Sequence, residues 1–291
     1  MKLVTFLANG QARLGALLPA TNDQQIVDLN RADSRLPDNM LAFLQAGQAA
    51  QALAKQVLAA PPPAAVVERT AVTLKAPIPR PGKIICLGLN YRDHAIESNQ
   101  AIPTYPVVFA KFANVVIGPG EAIVIPKITQ EVDYEAEFGV VIGKRGRAIA
   151  EADALSHVAG YLPFHDVSAR DYQMRTSQWV IGKTFDTFGP MGPALVTADE
   201  IPDPHNLDIR LSIGGEVLQS SNTRNLIFSV PQIIWHLSAV MTLEPGDLIA
   251  TGTPGGVGAA RNPKRFLKPG EVVRIEIERL GTLENPVVAE V

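Results

Sequence analysis

Residues 131–143 read EVDYEAEFGVVIG. Side chains of an extended chain alternate between faces, so Glu135 and Glu137 share one face with Cα atoms roughly 6.6 Å apart, and Tyr134 and Phe138 take the other. The continuation Val140-Val141-Ile142 is apolar on both faces, which predicts a strand that enters a core. Two carboxylates leading into a core need a counter-charge, and a hard divalent cation held by both would supply it. On alternation alone, a solvent-facing edge strand is the other reading.

Outward from this stretch the chain reads mainly as strands. Ile84 to Leu87, Val107 to Phe112, Ala122 to Ile125, Leu207 to Ile213, Asp247 to Thr251 and Val272 to Ile277 are β-rich runs bounded by Gly, Pro or Asn. Asn9-Gly10 and Gly214-Gly215 sit where tight hairpin turns need positive φ. Helical patterns are few: Arg92 to Ser98, Ala150 to Val158, Val230 to Val240 with Pro231 in its first turn, and one long segment from an Asp38 N-cap to Pro61-Pro62-Pro63. No strand–helix alternation repeats, so a doubly wound parallel sheet is disfavoured. A mostly β (α+β), barrel-like architecture is expected. The proline cluster Pro77 to Pro81 follows, and the expected division is a small α/β N-terminal domain over 1–75 and a catalytic domain over 76–291.

Composition narrows the function classes. With 46% hydrophobic and 19% charged residues the chain can bury a sizeable core. A net charge of −3 and 6% aromatics argue against a nucleic-acid partner, which needs a concentrated basic surface or stacking rings. No apolar run is long enough to span a membrane. The single cysteine, Cys86, lies in the apolar run Ile84 to Leu87 and reads as a core residue. A reducing, soluble compartment follows, most simply the cytoplasm.

Several familiar sites are absent. There is no G-x-S-x-G, no H-E-x-x-H, and Gly139 to Lys144 is one residue short of a phosphate loop. What remains is a set of dispersed polar groups. Asp166 ends the apolar run Tyr161 to Phe164, where a strand would deliver it to a sheet's rim as a third carboxylate; capping a turn or pairing with Arg170 is the alternative. His94 and Glu97 fall at i and i+3 of a helical pattern, either a carboxylate-oriented general base or a surface ion pair. Lys183, among small and apolar residues, could stabilise an enolate oxygen or simply snorkel to solvent. Gly252 to Gly258 reads as an anion cradle or a plain Gly-rich turn.

Five segments, GLNYRDHAIE (88–97), DYEAEFGVVIGK (133–144), GYLPFHDVSARDYQ (160–173), GKTFDTFGPMGP (182–193) and PGDLIATGTPGGVG (245–258), in this order resemble the fumarylacetoacetate hydrolase family. The resemblance covers about residues 80–291 and implies a mixed β-sandwich or β-roll. It further implies metal ligands at Glu135, Glu137 and Asp166, a water-activating pair at His94 and Glu97, an active-site lysine at Lys183, and substrate contacts at Arg170, Gln173 and Thr253. Mg2+ is the implied cofactor, with Mn2+ or Ca2+ as alternatives, and a homodimer the implied assembly. The implied activity is a metal-dependent hydrolase that cleaves a C–C bond in a 2,4-diketo acid (an acylpyruvate, fumarylacetoacetate or a diketo sugar acid) to pyruvate or acetoacetate plus a carboxylic acid. The alternative on the same site is an oxaloacetate-type decarboxylase or a hydroxymuconate-type isomerase or decarboxylase. A non-catalytic keto-acid binding protein is a third, weaker reading.

Overall fold

Apolar side chains on both faces put the strand Ala136–Ile142 in the centre of the molecule, with all seven residues buried. In the computed structural model, which describes residues 1–291, this strand pairs antiparallel with Val158–His165 on one side and Leu248–Ala250 on the other. One limb of the sheet continues through Leu195–Thr197 to Lys2–Ala8, Gln11–Leu17, Gln25–Asp28 and Val66–Glu68. The other runs through Ile84–Gly88, parallel to Leu248–Ala250, and ends at Val107–Lys111. A second sheet of five strands, including Asp208–Ile213 and Val272–Ile277, packs on the two central strands. Phe138, Leu162, Ile209 and Ile275 belong to one buried cluster between the sheets.

The larger sheet is rolled. Four strand steps separate Val107–Lys111 from Val158–His165, about 19 Å on a flat sheet. Yet the Lys111 ammonium donates to the Asp166 carboxylate and to the Val167 carbonyl at 2.9 Å. A lysine side chain spans that gap only if the two limbs curl to face each other. The mostly β, mixed sandwich and roll read from the sequence is the architecture observed. No helix is long and apolar enough to cross a membrane.

Residues 1–75 extend the same sheet, because Lys2–Ala8 pairs with Leu195–Thr197, and Leu3 and Phe43 join the cluster that holds Phe138. The Asn9-Gly10 hairpin forms with φ of 51° and 77°. Two local expectations need correction. The long helix, Met40–Ala59, is capped by the side chain of Asn39 and is broken at Gly47, where φ is 63°. Asp38 stays outside it, its carbonyl accepting from Leu14 N–H at 2.8 Å. The second correction concerns Glu151–His157, which forms a 3-10 helix, since the chain must be extended from Val158 to pair with Ile142.

Candidate active site

Pairing of Ala136 with His165, and an Asp166 N–H that donates to the Glu135 carbonyl at 3.0 Å, bring the start of one central strand beside the end of the other. Glu135, Glu137 and Asp166 are all buried there, and one ligand oxygen from each lies within 4.8 Å of the others. The solvent-facing reading of this stretch therefore fails. Alternation places the carboxylates on one face, and the partner strand adds the third.

Three cations surround them unevenly. The Lys183 ammonium bridges Glu135 Oε2 and Asp166 Oδ2, each at 2.8 Å. Arg170 reaches Glu135 Oε1 at 2.6 Å, Asp133 Oδ2 at 2.8 Å and Gln173 Oε1 at 2.8 Å. Lys111 holds the second oxygen of Asp166. Glu137 accepts only the Gly252 N–H, at 2.9 Å, and has no cation. Four buried carboxylates, counting Asp133, thus face three cations, and the excess negative charge falls on Glu137.

The proton equilibria follow this pattern. Burial, and then the neighbouring Asp166 and Glu135 charges, push the Glu137 carboxyl well above its usual range. Burial also disfavours the Glu135 carboxylate, but Lys183 and Arg170 outweigh it and hold that group well below the ordinary value. Lys183 is desolvated, yet its two carboxylate partners raise its pKa. Burial depresses the His165 imidazole to about 3. Three hard oxygen donors, one lacking a cationic partner, fit a Mg2+- or Mn2+-sized divalent cation.

The parallel strands Ile84–Gly88 and Leu248–Ala250 end at this same rim, so the loops that follow both close over it. Asn90 ties them together, donating to the Thr251 carbonyl at 2.8 Å and accepting from Phe228 N–H at 2.8 Å. The helix Arg92–Glu97 then presents His94, whose Nδ1 lies 3.5 Å from Glu97 Oε2 and makes no hydrogen bond. Both Glu97 oxygens accept the Gly256 N–H at 2.9 Å. The Gly-rich segment is thus anchored by Glu97, and also by Asp133, which accepts from Gly258 N–H at 2.7 Å and Ala259 N–H at 2.9 Å. Thr253 donates its hydroxyl to the Ala136 carbonyl at 3.0 Å and accepts from Gln219 at 2.9 Å.

A cavity of about 240 Å³ opens between these loops. Seven of the nine residues singled out in the sequence line it: His94, Glu135, Glu137, Arg170, Gln173, Lys183 and Thr253. Asp166 is buried behind that wall, whereas Glu97 does not line it and is exposed. Phe109 and Trp179, edge to face at 5.6 Å between centroids, form an apolar side. Sequence reasoning missed Lys111, Asp133 and Gln219. Asp133 lay inside the opening stretch, and Lys111 was visible only as a lysine ending an apolar strand. Cys86 is fully buried, as expected of a core residue.

Residues 83–288 match the sequence profile described as fumarylacetoacetate (FAA) hydrolase C-terminal. The chain is 48% identical over 290 residues to a Bos taurus protein named oxaloacetate tautomerase FAHD2A, mitochondrial, covering 99% of this chain and 92% of the relative. The Homo sapiens protein of the same name matches with the same identity and coverage. Among solved structures, a putative HpcE protein from Mycobacterium smegmatis superposes with a TM-score of 0.88 at 37% identity, over the whole of both chains. Maleylpyruvate hydrolase from Sphingobium sp. SYK-6, in complex with manganese (II) ion and pyruvate, does so with 0.82 at 34%, again over the whole of both. The cytoplasmic location expected from the sequence is overturned, because these half-identical relatives are named as mitochondrial proteins. That expectation rested on a lone cysteine and on the lack of any membrane-length apolar run, and neither distinguishes one reducing compartment from another. With the profile spanning most of its length and half-identical relatives along nearly all of it, the chain belongs to the fumarylacetoacetate hydrolase family.

Proposed function

We propose that this chain is a divalent-metal-dependent enzyme acting on small 2-oxo acids through their enol forms, with oxaloacetate keto–enol tautomerisation as its activity. The observation that carries the reading is the buried triad Glu135, Glu137 and Asp166, under-neutralised at Glu137 and opening on a cavity that also exposes Lys183, Arg170 and His94. The names of the half-identical relatives support it against the C–C hydrolase reading. Held by the three carboxylates, Mg2+ or Mn2+ would draw electron density from the 2-oxo group and acidify the adjacent C–H.

The chain's own groups then divide the work. Arg170 and Gln173, locked together by their mutual hydrogen bond, receive the substrate carboxylate beside the triad. Lys183 offers its ammonium to the oxygen that gains charge as the enol forms. His94, with Nδ1 turned toward Glu97, carries the proton between carbon and oxygen on Nε2. Tautomerisation needs this proton carrier and no added water. Replacement of His94 by Ala is expected to slow it roughly 10²–10⁴-fold.

Hydrolysis of an acylpyruvate is the second reading, favoured by the His94–Glu97 pair, which could instead activate water. The two separate in a pair of assays: enol-oxaloacetate, and separately an acylpyruvate, is mixed with the protein, and enol absorbance and pyruvate are followed with Mg2+, with Mn2+ and with chelator. Metal-dependent loss of enol without release of pyruvate is expected. Rapid pyruvate release from acylpyruvates, with enol decay unaffected, would replace the first reading by the second. We also propose that 1–75 acts as a small bracing domain and that the protein is a homodimer. Exposure of Ile96, Tyr105 and Met174 supports a further interface.

A further inference from the structure

Lys111 is the one cation of the cluster that has no view of the cavity. Its side chain is fully buried, as is that of Asp166, and it is absent from the cavity wall that Lys183 helps to form. Its two acceptors are Asp166 Oδ1 and the Val167 carbonyl. Asp166 Oδ2 is left to Lys183 and to the side where Glu135 and Glu137 lie. The two oxygens of Asp166 are therefore not equivalent: one is pinned from behind, the other faces the triad.

We propose that Lys111 is a positioning residue that holds Asp166 as a one-oxygen ligand and thereby sets the affinity of the triad for a divalent cation. The inference rests on the metal-site reading above. A carboxylate on the rim of a sheet can swing about its own side-chain torsions and present either oxygen or both. A hydrogen bond from the far side removes that freedom before the cation arrives, which is the usual contribution of groups just outside a metal's ligands. The bond also spans the two limbs of the rolled sheet, so the position of Asp166 is referred to a strand four steps away.

The sign of the effect makes the inference testable. Electrostatics alone predicts that removing an ammonium beside the site tightens cation binding; loss of positioning predicts that it weakens binding. Mn2+ affinity is measured by the electron paramagnetic resonance signal of free Mn2+ for the unaltered protein, Lys111→Met and Lys111→Arg, with thermal unfolding of each metal-free protein alongside. Lys111→Met is expected to bind roughly 10–100-fold more weakly, with Lys111→Arg recovering part of the loss. Affinity unchanged or tighter in a folded Lys111→Met overturns the inference and leaves the metal site standing. Failure of the unaltered protein to bind Mn2+ overturns the metal-site reading itself. Should Lys111→Met not fold, a Mn2+-loaded crystal structure of the unaltered protein decides. Asp166 ligating through Oδ2 alone with Oδ1 on Lys111 supports the inference, and a bidentate Asp166 or a displaced Lys111 overturns it.

Discussion

Glu137 differs from Glu135 and Asp166 in having no cation beside it, and this asymmetry has opposite consequences with and without metal. Binding a cation requires the carboxylate, so affinity should fall as pH drops through the raised Glu137 pKa, with a proton released on binding below that pKa and none above it. In the metal-free protein the folded chain keeps this proton at pH values where the unfolded chain, at its ordinary 4.5, has lost it. That contribution to stability is full below the ordinary value and fades as pH rises through the raised one. Glu137→Gln, a permanent neutral mimic, should leave the metal-free melting temperature at neutral pH equal or higher while weakening Mn2+ binding more than tenfold. Calorimetric titration and thermal unfolding check the two halves, and a clearly less stable Gln variant would refute the assignment of charge excess to Glu137.

Loops and strands act together through Asp133. This buried carboxylate joins the Gly-rich segment to Arg170, accepting from Tyr134, Gly258 and Ala259 N–H groups as well as from the guanidinium. The cavity-lining arginine is thus oriented by the same group that shapes the loop over it. Asp133→Ala takes the acceptor from the Tyr134, Gly258 and Ala259 N–H groups and leaves Arg170 with Glu135 and Gln173 alone. A loss of roughly 3–5 kcal/mol in urea unfolding is expected, at about 1–3 kcal/mol for each buried N–H left without an acceptor. Asp133→Asn keeps one oxygen for the loop N–H groups and should cost less, while still raising the KM for a 2-oxo acid. Equal stability of the Ala variant and the parent would show that the loop is held by its other contacts.

Across the whole molecule, the N-terminal strands and the site share one sheet. The Met1 ammonium donates to Thr197 Oγ1 at 2.7 Å and Glu200 Oε1 at 2.9 Å, and Lys2–Ala8 covers the edge of Leu195–Thr197. Residues 76–291 alone would expose that edge and the apolar side chains that face Leu3 and Phe43. Such a fragment is expected to aggregate, and sedimentation showing a soluble, cooperatively folding species would contradict this. Much of the site was legible in the chain because its parts are local: Glu135 and Glu137 are two residues apart on a pleat, and His94 and Glu97 three apart on a helix. The turns at Asn9-Gly10 and Gly214-Gly215 were legible for the same reason, since backbone conformation there depends on the residue itself. Lys111 and Asp133 were not. Their significance comes from partners 55 and 125 residues away, reached only when the sheet rolls and the Gly-rich loop folds back. By itself, the sequence determined which residue types stand in sequence-local pairs and which strands enter the core, because both follow from short-range periodicity. Tertiary structure alone decided which carboxylate goes without a cation, because charge balance in a buried cluster depends on groups from every strand that meets there.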